Sequence, residues 1–152
     1  MKVIVAVVGR ARHPSVGPAA RDYEERAARY WPLEVREVRE ERASTPDRVR
    51  EGEGRRLLEV APDRAVIVAC EPGGTTMTSE EFSGWLQRAR ERGVDVCFMI
   101  GGAYGLSAKV RSAARTTLSL APWTLSHELA RLVLAEQLYR AGTIVRREPY
   151  HK

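Results

Sequence analysis

The chain has 152 residues, with 25 Lys and Arg against 20 Asp and Glu for a net charge of +5. That length holds one domain around one core, and 43% hydrophobic with 30% charged residues excludes a disordered chain. No apolar run approaches the roughly 20 residues of a membrane-spanning helix. The stretch Val3 to Val8 is too short for a signal-peptide core, and only Lys2 precedes it. A cytoplasmic protein with no membrane partner is therefore expected.

In chain order, Lys2 to Val8 reads as a buried strand that ends at Gly9. Gly17-Pro18 opens a helix carrying Ala20, Tyr23, Ala27 and Tyr30 at helical spacing, and Pro32 ends it. Leu33, Val35 and Val38 are strand-like. Ser44-Thr45-Pro46 starts a second helix, weakened at Gly52 and Gly54 and closed by Pro62. Ala65 to Cys70 is an apolar strand, after which Glu71-Pro72-Gly73-Gly74 must turn. Thr78-Ser79-Glu80-Glu81 has the spacing of a capping box, and Phe82, Trp85, Leu86 and Ala89 form the apolar stripe behind it. Val94 to Ile100 makes the next strand, followed by Gly101-Gly102. Ser107 caps a short helix, Thr116 to Leu120 is the last strand, and a final helix runs from about Ser126 to Ala141.

Strand and helix alternate throughout, without linker or repeat. The expected fold is α/β, a single domain over residues 1–152, with a mostly parallel sheet and helices on both faces. Ligands of such sheets bind beyond the C-terminal strand ends. Those ends are Gly9 to His13, Cys70 to Gly74, Gly101 to Gly105 and Ala121 to Ser126. The final helix carries apolar residues around more than one stripe, Leu129, Leu132, Val133, Leu134, Leu138 and Tyr139 among them. A helix on a sheet needs an apolar face of only about 100°. The excess predicts a second apolar surface, supplied by another copy in a homodimer.

The basic excess is localised. Residues 1–21 carry Lys2, Arg10, Arg12 and Arg21 without an acid, and residues 105–127 carry Lys109, Arg111 and Arg115 without one. The tail holds Arg140, Arg146, Arg147 and Lys152 against Glu148 alone. Brought together, these groups make a phosphate-tracking surface; left apart, they are an arginine-rich solvated surface. Gly101-Gly102-x-x-Gly105 lacks the spacing of a dinucleotide or phosphate loop. It is either a plain tight turn or a place where backbone approaches a ligand. Leu120 to Leu125 is either core packing or an apolar cradle for an adenine edge. His127 at a helix start reads as a structural hydrogen-bonding group, and Glu136 as an ion-pair partner of Arg140 or a functional acid. Cys70, Cys97 and the three histidines show no metal-ligand spacing, so no metal is expected.

In order and spacing, Lys2-Val3-Ile4-Val5-Ala6-Val7-Val8-Gly9, Ile100-Gly101-Gly102-Ala103-Tyr104-Gly105-Leu106, Thr124-Leu125-Ser126-His127, Leu134-Ala135-Glu136-Gln137-Leu138-Tyr139-Arg140-Ala141 and Pro149-Tyr150-His151 closely resemble the ribosomal RNA large subunit methyltransferase H family of the SPOUT superfamily. The resemblance spans essentially the whole chain. It implies a C-terminal trefoil knot, a homodimer, and S-adenosylmethionine-dependent methylation of N3 of a pseudouridine in 23S large-subunit ribosomal RNA, on assembled ribosomes. By position it assigns Ala69, Gly101, Gly102, Leu120, Ala121, Pro122, Trp123, Thr124 and Leu125 to the cofactor. It places Tyr150 and His151, with nearby arginines, on the catalytic, substrate side, and the basic segments are expected to meet the RNA through Arg10, His13, Arg146, Arg147 and Lys152. This chain departs from the family with Ala69-Cys70 where Leu-Asp is common, and with Pro122, which has no N–H to give a ligand. Losing the N3 proton calls for a general base or for donors that stabilise the anion. His151, Glu136 and the arginines are the candidates. The competing expectation is a basic α/β dimer that binds RNA or ribosomes without catalysis; a third is a small-molecule enzyme whose positive surface is incidental.

Overall fold

The computed structural model describes residues 1–152. Five strands form one parallel sheet: β1 (Val3–Val8), β2 (Leu33–Val38), β3 (Val66–Thr75), β4 (Val96–Ile100) and β5 (Thr116–Leu118). Their order across the sheet is β2-β1-β4-β3-β5. The helices are α1 (Val16–Ala27), α2 (Pro46–Glu59), α3 (Ser79–Glu91), α4 (Ala108–Ala113) and α5 (His127–Val145). Consecutive crossovers alternate direction across the sheet, so helices joined with one hand must alternate faces. Accordingly α1, α3 and α5 pack together on one face, while α2 and α4 pack together on the other.

Both faces of the central strands are covered, which explains why their sequences are continuous apolar runs. Val3, Val5 and Val7 join Phe98 and Ile100 in the core beneath α1, α3 and α5, with Trp31, Leu86, Leu134 and Leu138. Ile4, Ala6 and Val8 point the other way and meet Cys97, Met99, Leu57 and Val110. The capping box at Thr78 and Glu81 is formed, Thr45 and Ser107 cap α2 and α4, and Ser126 caps α5.

Several boundaries differ from the sequence reading. β3 does not end at Cys70: both Cys70 and Thr75 lie opposite Leu118, so Glu71 to Gly74 is an excursion within a strand that then resumes. α1 stops at Ala27, before Pro32, and β5 stops at Leu118. α5 continues to Val145, because its later turns still pack on the residues that follow α1: the Trp31 Nε1–H donates to the Leu138 carbonyl at 2.8 Å. Gly54 lies where α2 meets the Ser107 side chain, a close approach that offsets its helix cost.

The greasiness of α5 has an intramolecular explanation. Ala130, Leu134, Ala135, Leu138 and Ala141 are buried, and the helix lies between α1 and α3 against the sheet. Apolar residues around more than one stripe of the helix therefore do not by themselves call for a second copy. Leu129 is exposed, and Leu132, Val133, Tyr139, Ile144 and Val145 are partly buried.

A candidate cofactor and substrate site

The excursion of β3 at Glu71 to Gly74 and the segments that leave β4 and β5 wall one cavity of about 730 Å³, and the first turn of α5 closes it with His127 and Ala130. The β4 exit is a tight turn. Gly102 and Gly105 form an isolated antiparallel bridge, the Gly105 N–H donates to the Gly102 carbonyl at 3.1 Å, and Gly105 takes φ +81°. A β-carbon on Gly101 would sit 2.6 Å from the Gly105 carbonyl carbon, and one on Gly102 would sit 2.8 Å from Glu53 Oε2. The glycines therefore let the chain approach itself, and the turn so formed presents backbone to the cavity.

Of the residues assigned to a cofactor from sequence, Gly101, Gly102, Leu120, Ala121, Trp123, Thr124 and Leu125 line this cavity. Ala69 does not. It is fully buried in the core on the α2 side, and strand alternation gives its place in the wall to Cys70. Pro122 is exposed and outside the lining. The Ser119 hydroxyl lies 3.0 Å from the Pro72 carbonyl and 2.8 Å from that of Ala121, tying the β3 and β5 exits together. Arg111 Nε meets Glu71 Oε2 at 2.7 Å on the wall. Burial pushes the Cys70 thiol up to about 12, so this side chain is a neutral apolar wall and not a thiolate.

The basic loop after β1 is held by α5. Glu128 accepts backbone N–H groups of Arg12 and of His13, the latter at 3.0 Å. Those bonds, chiefly the one from His13, hold the Glu128 carboxyl below its ordinary value. His13 Nδ1 accepts the N–H groups of Ser15 and Val16 at 3.2 Å each, so its ring serves the start of α1. Arg10 is exposed, in a groove with Arg12, Arg39 and Arg42 and the carboxylates of Glu37, Glu40 and Glu41.

The tail lies elsewhere. Arg146 and Arg147 follow α5, at the far end of its 19 residues from His127. A helix rises about 1.5 Å per residue, which puts them about 28 Å along its axis from the cavity. Arg146 stacks over Tyr30 and donates to the Arg29 carbonyl. The chain then doubles back. Tyr150 O–H donates to Glu136 Oε1 at 3.0 Å, lies 3.4 Å from the Tyr23 hydroxyl, and packs its ring on Tyr139. Burial first, then these hydrogen bonds, raises the Tyr150 phenol. His151 Nδ1 is 3.3 Å from Arg140 Nη1 and Nε2 is 2.7 Å from Glu80 Oε1. An arginine can only donate, so Nδ1 accepts and Nε2–H donates to Glu80. Glu136 is indeed the i+4 partner of Arg140, at 2.6 Å. Lys152 is exposed. Thus Tyr150 and His151 line no part of their own chain's cavity, and the Arg10 loop and the Arg146–Arg147 segment sit at opposite ends of α5.

Two residues of the site had no clear signal in the sequence. His127, read as structural, faces the cavity, with Nε2 3.2 Å from where a Gly9 β-carbon would be. Glu53, between Gly52 and Gly54, is only 3% exposed and stands behind Gly102. An acid flanked by two glycines in mid-helix was the available hint. No group of three His, Cys, Asp or Glu side chains gathers as a metal cluster, and no helix is long and apolar enough to cross a membrane.

The family model described as "Predicted SPOUT methyltransferase" matches residues 1–151. A protein of Gemmatimonas aurantiaca named ribosomal RNA large subunit methyltransferase H is 58% identical over the full length of both chains. Proteins of the same name from Anaeromyxobacter dehalogenans and Syntrophotalea carbinolica are 45% and 41% identical, each covering at least 99% of both chains. Among solved structures, TrmJ from Z. mobilis superposes with a TM-score of 0.52 at 17% identity, over 92% of this chain and 69% of that one, a likeness of fold. With its parallel sheet, the cavity at the strand ends and full-length relatives of this kind, the chain is a methyltransferase that belongs to the ribosomal RNA large subunit methyltransferase H family of SPOUT proteins.

Proposed function

We propose that this protein uses S-adenosylmethionine to methylate N3 of a pseudouridine in 23S large-subunit ribosomal RNA, on assembled ribosomes in the cytoplasm, as a homodimer. The observation that carries the reading is the cavity at the C-terminal ends of β3, β4 and β5, in a chain that matches its relatives from end to end. Its chemistry suits this cofactor. Leu106, Leu120, Leu125 and Ala130 give apolar walls for an adenine, while the Gly101–Gly105 turn offers backbone donors and acceptors. The trefoil knot belongs to the same proposal, on the strength of family membership and of the tight passage of Ser119 against Pro72.

When bound, the cofactor supplies an electrophilic sulfonium methyl. The protein's part is to hold the acceptor in line with it and to ease loss of the N3 proton. In this reading the Gly101 turn and Leu120 to Leu125 fix the donor. Arg10 and Arg12, in the loop that Glu128 holds through the Arg12 and His13 N–H groups, hold backbone phosphates. Tyr150 and His151 serve the acceptor. Since they dock on α3 and α5 of their own chain and not at its cavity, they act at the cavity of a second copy. The apolar strip of exposed Leu129 with partly buried Leu132 and Val133 is the surface that copy covers. Such a dimer also brings the tail's Arg146, Arg147 and Lys152 toward the Arg10 loop of the partner, uniting basic groups that one chain keeps apart.

The test is methyl transfer from labelled S-adenosylmethionine to ribosomes that lack the modification, with the product mapped by mass spectrometry. Label at N3 of one large-subunit pseudouridine is expected. Cofactor binding without transfer to either ribosomes or free large-subunit RNA refutes the activity, and absence of cofactor binding refutes the site.

A further inference from the structure

Glu53 is the one buried acid of the molecule, 3% exposed, and its Oε2 has no hydrogen-bond partner. Its Oε1 accepts only the Glu41 N–H, at 3.2 Å. A buried polar atom left unpaired in this way calls for an explanation. The carboxyl faces Gly102, where a β-carbon would lie 2.8 Å from Oε2 and 3.1 Å from Oε1. Gly102 is itself part of the cavity wall. Gly102, which has no side chain, thus touches this unpartnered carboxyl and the Val8 side chain while forming part of the cavity wall. We propose, resting on the cofactor reading above, that Glu53 is the counter-charge for the sulfonium cation of the methyl donor, acting through the bare face of Gly102, and that it distinguishes the charged donor from its neutral demethylated product.

The surroundings fit a group that changes charge on binding. Burial, opposed by the Glu41 N–H, pushes the Glu53 carboxyl above its ordinary value of 4.5, with the charges of Glu40 and Glu41 adding and that of Arg56 opposing. Glu40 and Glu41 come from the segment after β2 and Arg56 from α2 itself. β1 presents uncharged Val8, and α5 presents His127 beside Glu40 at Gly9. Burial favours the protonated form of this carboxyl in the free protein. When a cation enters, the Oε2–H bond breaks, the proton leaves to buffer, and the carboxylate remains opposite the sulfonium. A thioether offers no charge to offset that ionisation. Because the proton is lost on binding, the donor binds more tightly as pH rises from the ordinary carboxyl value through the raised one. The product's affinity does not change over that range.

Calorimetry of S-adenosylmethionine and of S-adenosylhomocysteine, each in two buffers of different ionisation enthalpy, reads the proton directly. Proton release is expected with the methyl donor alone. Infrared difference spectra should show loss of a protonated-carboxyl band with the donor and none with the product. Since Glu53 is the one buried acid, that band reports it without any variant. In Glu53→Gln the donor should weaken roughly tenfold with its pH dependence gone, while the product stays within about twofold. A linkage due to His127 would instead survive Glu53→Gln and show no carboxyl band. Equal proton release for both ligands, or an unchanged donor preference in Glu53→Gln, overturns the proposal. Failure of both ligands to bind would overturn the cofactor reading instead.

Discussion

Leu134→Ala separates the two roles open to α5. Leu134 is fully buried within its own subunit, in the core that holds Phe98, Trp31 and Leu138. Truncating it removes three carbons from a site walled by the sheet on one side and by neighbouring helices on the others, where little can collapse. Leucine-to-alanine changes at such sites cost about 3–5 kcal/mol, transfer and cavity terms together. Against a typical total of about 5–15 kcal/mol, that is a large part of the stability. Urea unfolding followed by far-UV circular dichroism should show this loss with an unchanged slope. Sedimentation should show no shift in the association constant of the protein that remains folded. Val133→Arg reverses the pattern: the side chain is only partly buried, so the subunit stays folded and the dimer dissociates. If Leu134→Ala costs less than about 1 kcal/mol, or dissociates dimers without destabilising the subunit, the placement of α5 argued from its burial is wrong.

Gly101→Val should abolish cofactor binding by breaking the turn, since its β-carbon meets the Gly105 backbone and not open cavity; calorimetry on protein with native circular dichroism checks it. Deleting Tyr150 to Lys152 should stop methyl transfer while leaving cofactor affinity nearly intact, because none of these residues lines the cavity. Arg146→Ala with Arg147→Ala should weaken ribosomal RNA binding and flatten its salt dependence by about 0.7–0.9 in slope for each phosphate no longer held. Most of that change should come from Arg147, since Arg146 is engaged with Tyr30 and Arg29. The Glu128 carboxyl is depressed in the folded state, so the hold on Arg12 and His13 is complete above the ordinary carboxyl range and is lost as pH falls through the lowered value. Amide exchange at Arg12 and His13 should lose protection over that acid range, and in Glu128→Gln the protection should be weaker throughout.

The alternation of apolar runs with capped helical stripes was enough to give an α/β fold with helices on both faces, because burial of a strand on two sides leaves a mark in every residue, as in Val3 to Val8. The capping residues Thr78 and Ser107 marked their helices for the same local reason: the bonds lie within one turn. The loops that wall the cavity were legible as far as strand ends are. What sequence could not carry is direction in space. Ala69 and Cys70 are neighbours, yet one faces the α2-side core and the other the cavity, and only the sheet's register decides which. The apolar character of α5 does not say whether its partner is the same chain or another, since hydrophobic burial has no preferred partner. The tail reads as basic and aromatic, but its docking on Glu136 and Glu80, away from its own cavity, depends on side chains 14 and 71 positions distant. Glu53 and His127 enter the site through contacts between elements far apart in the chain, and only the packing of α2 and α5 at the ends of β1 and β4 brings them there.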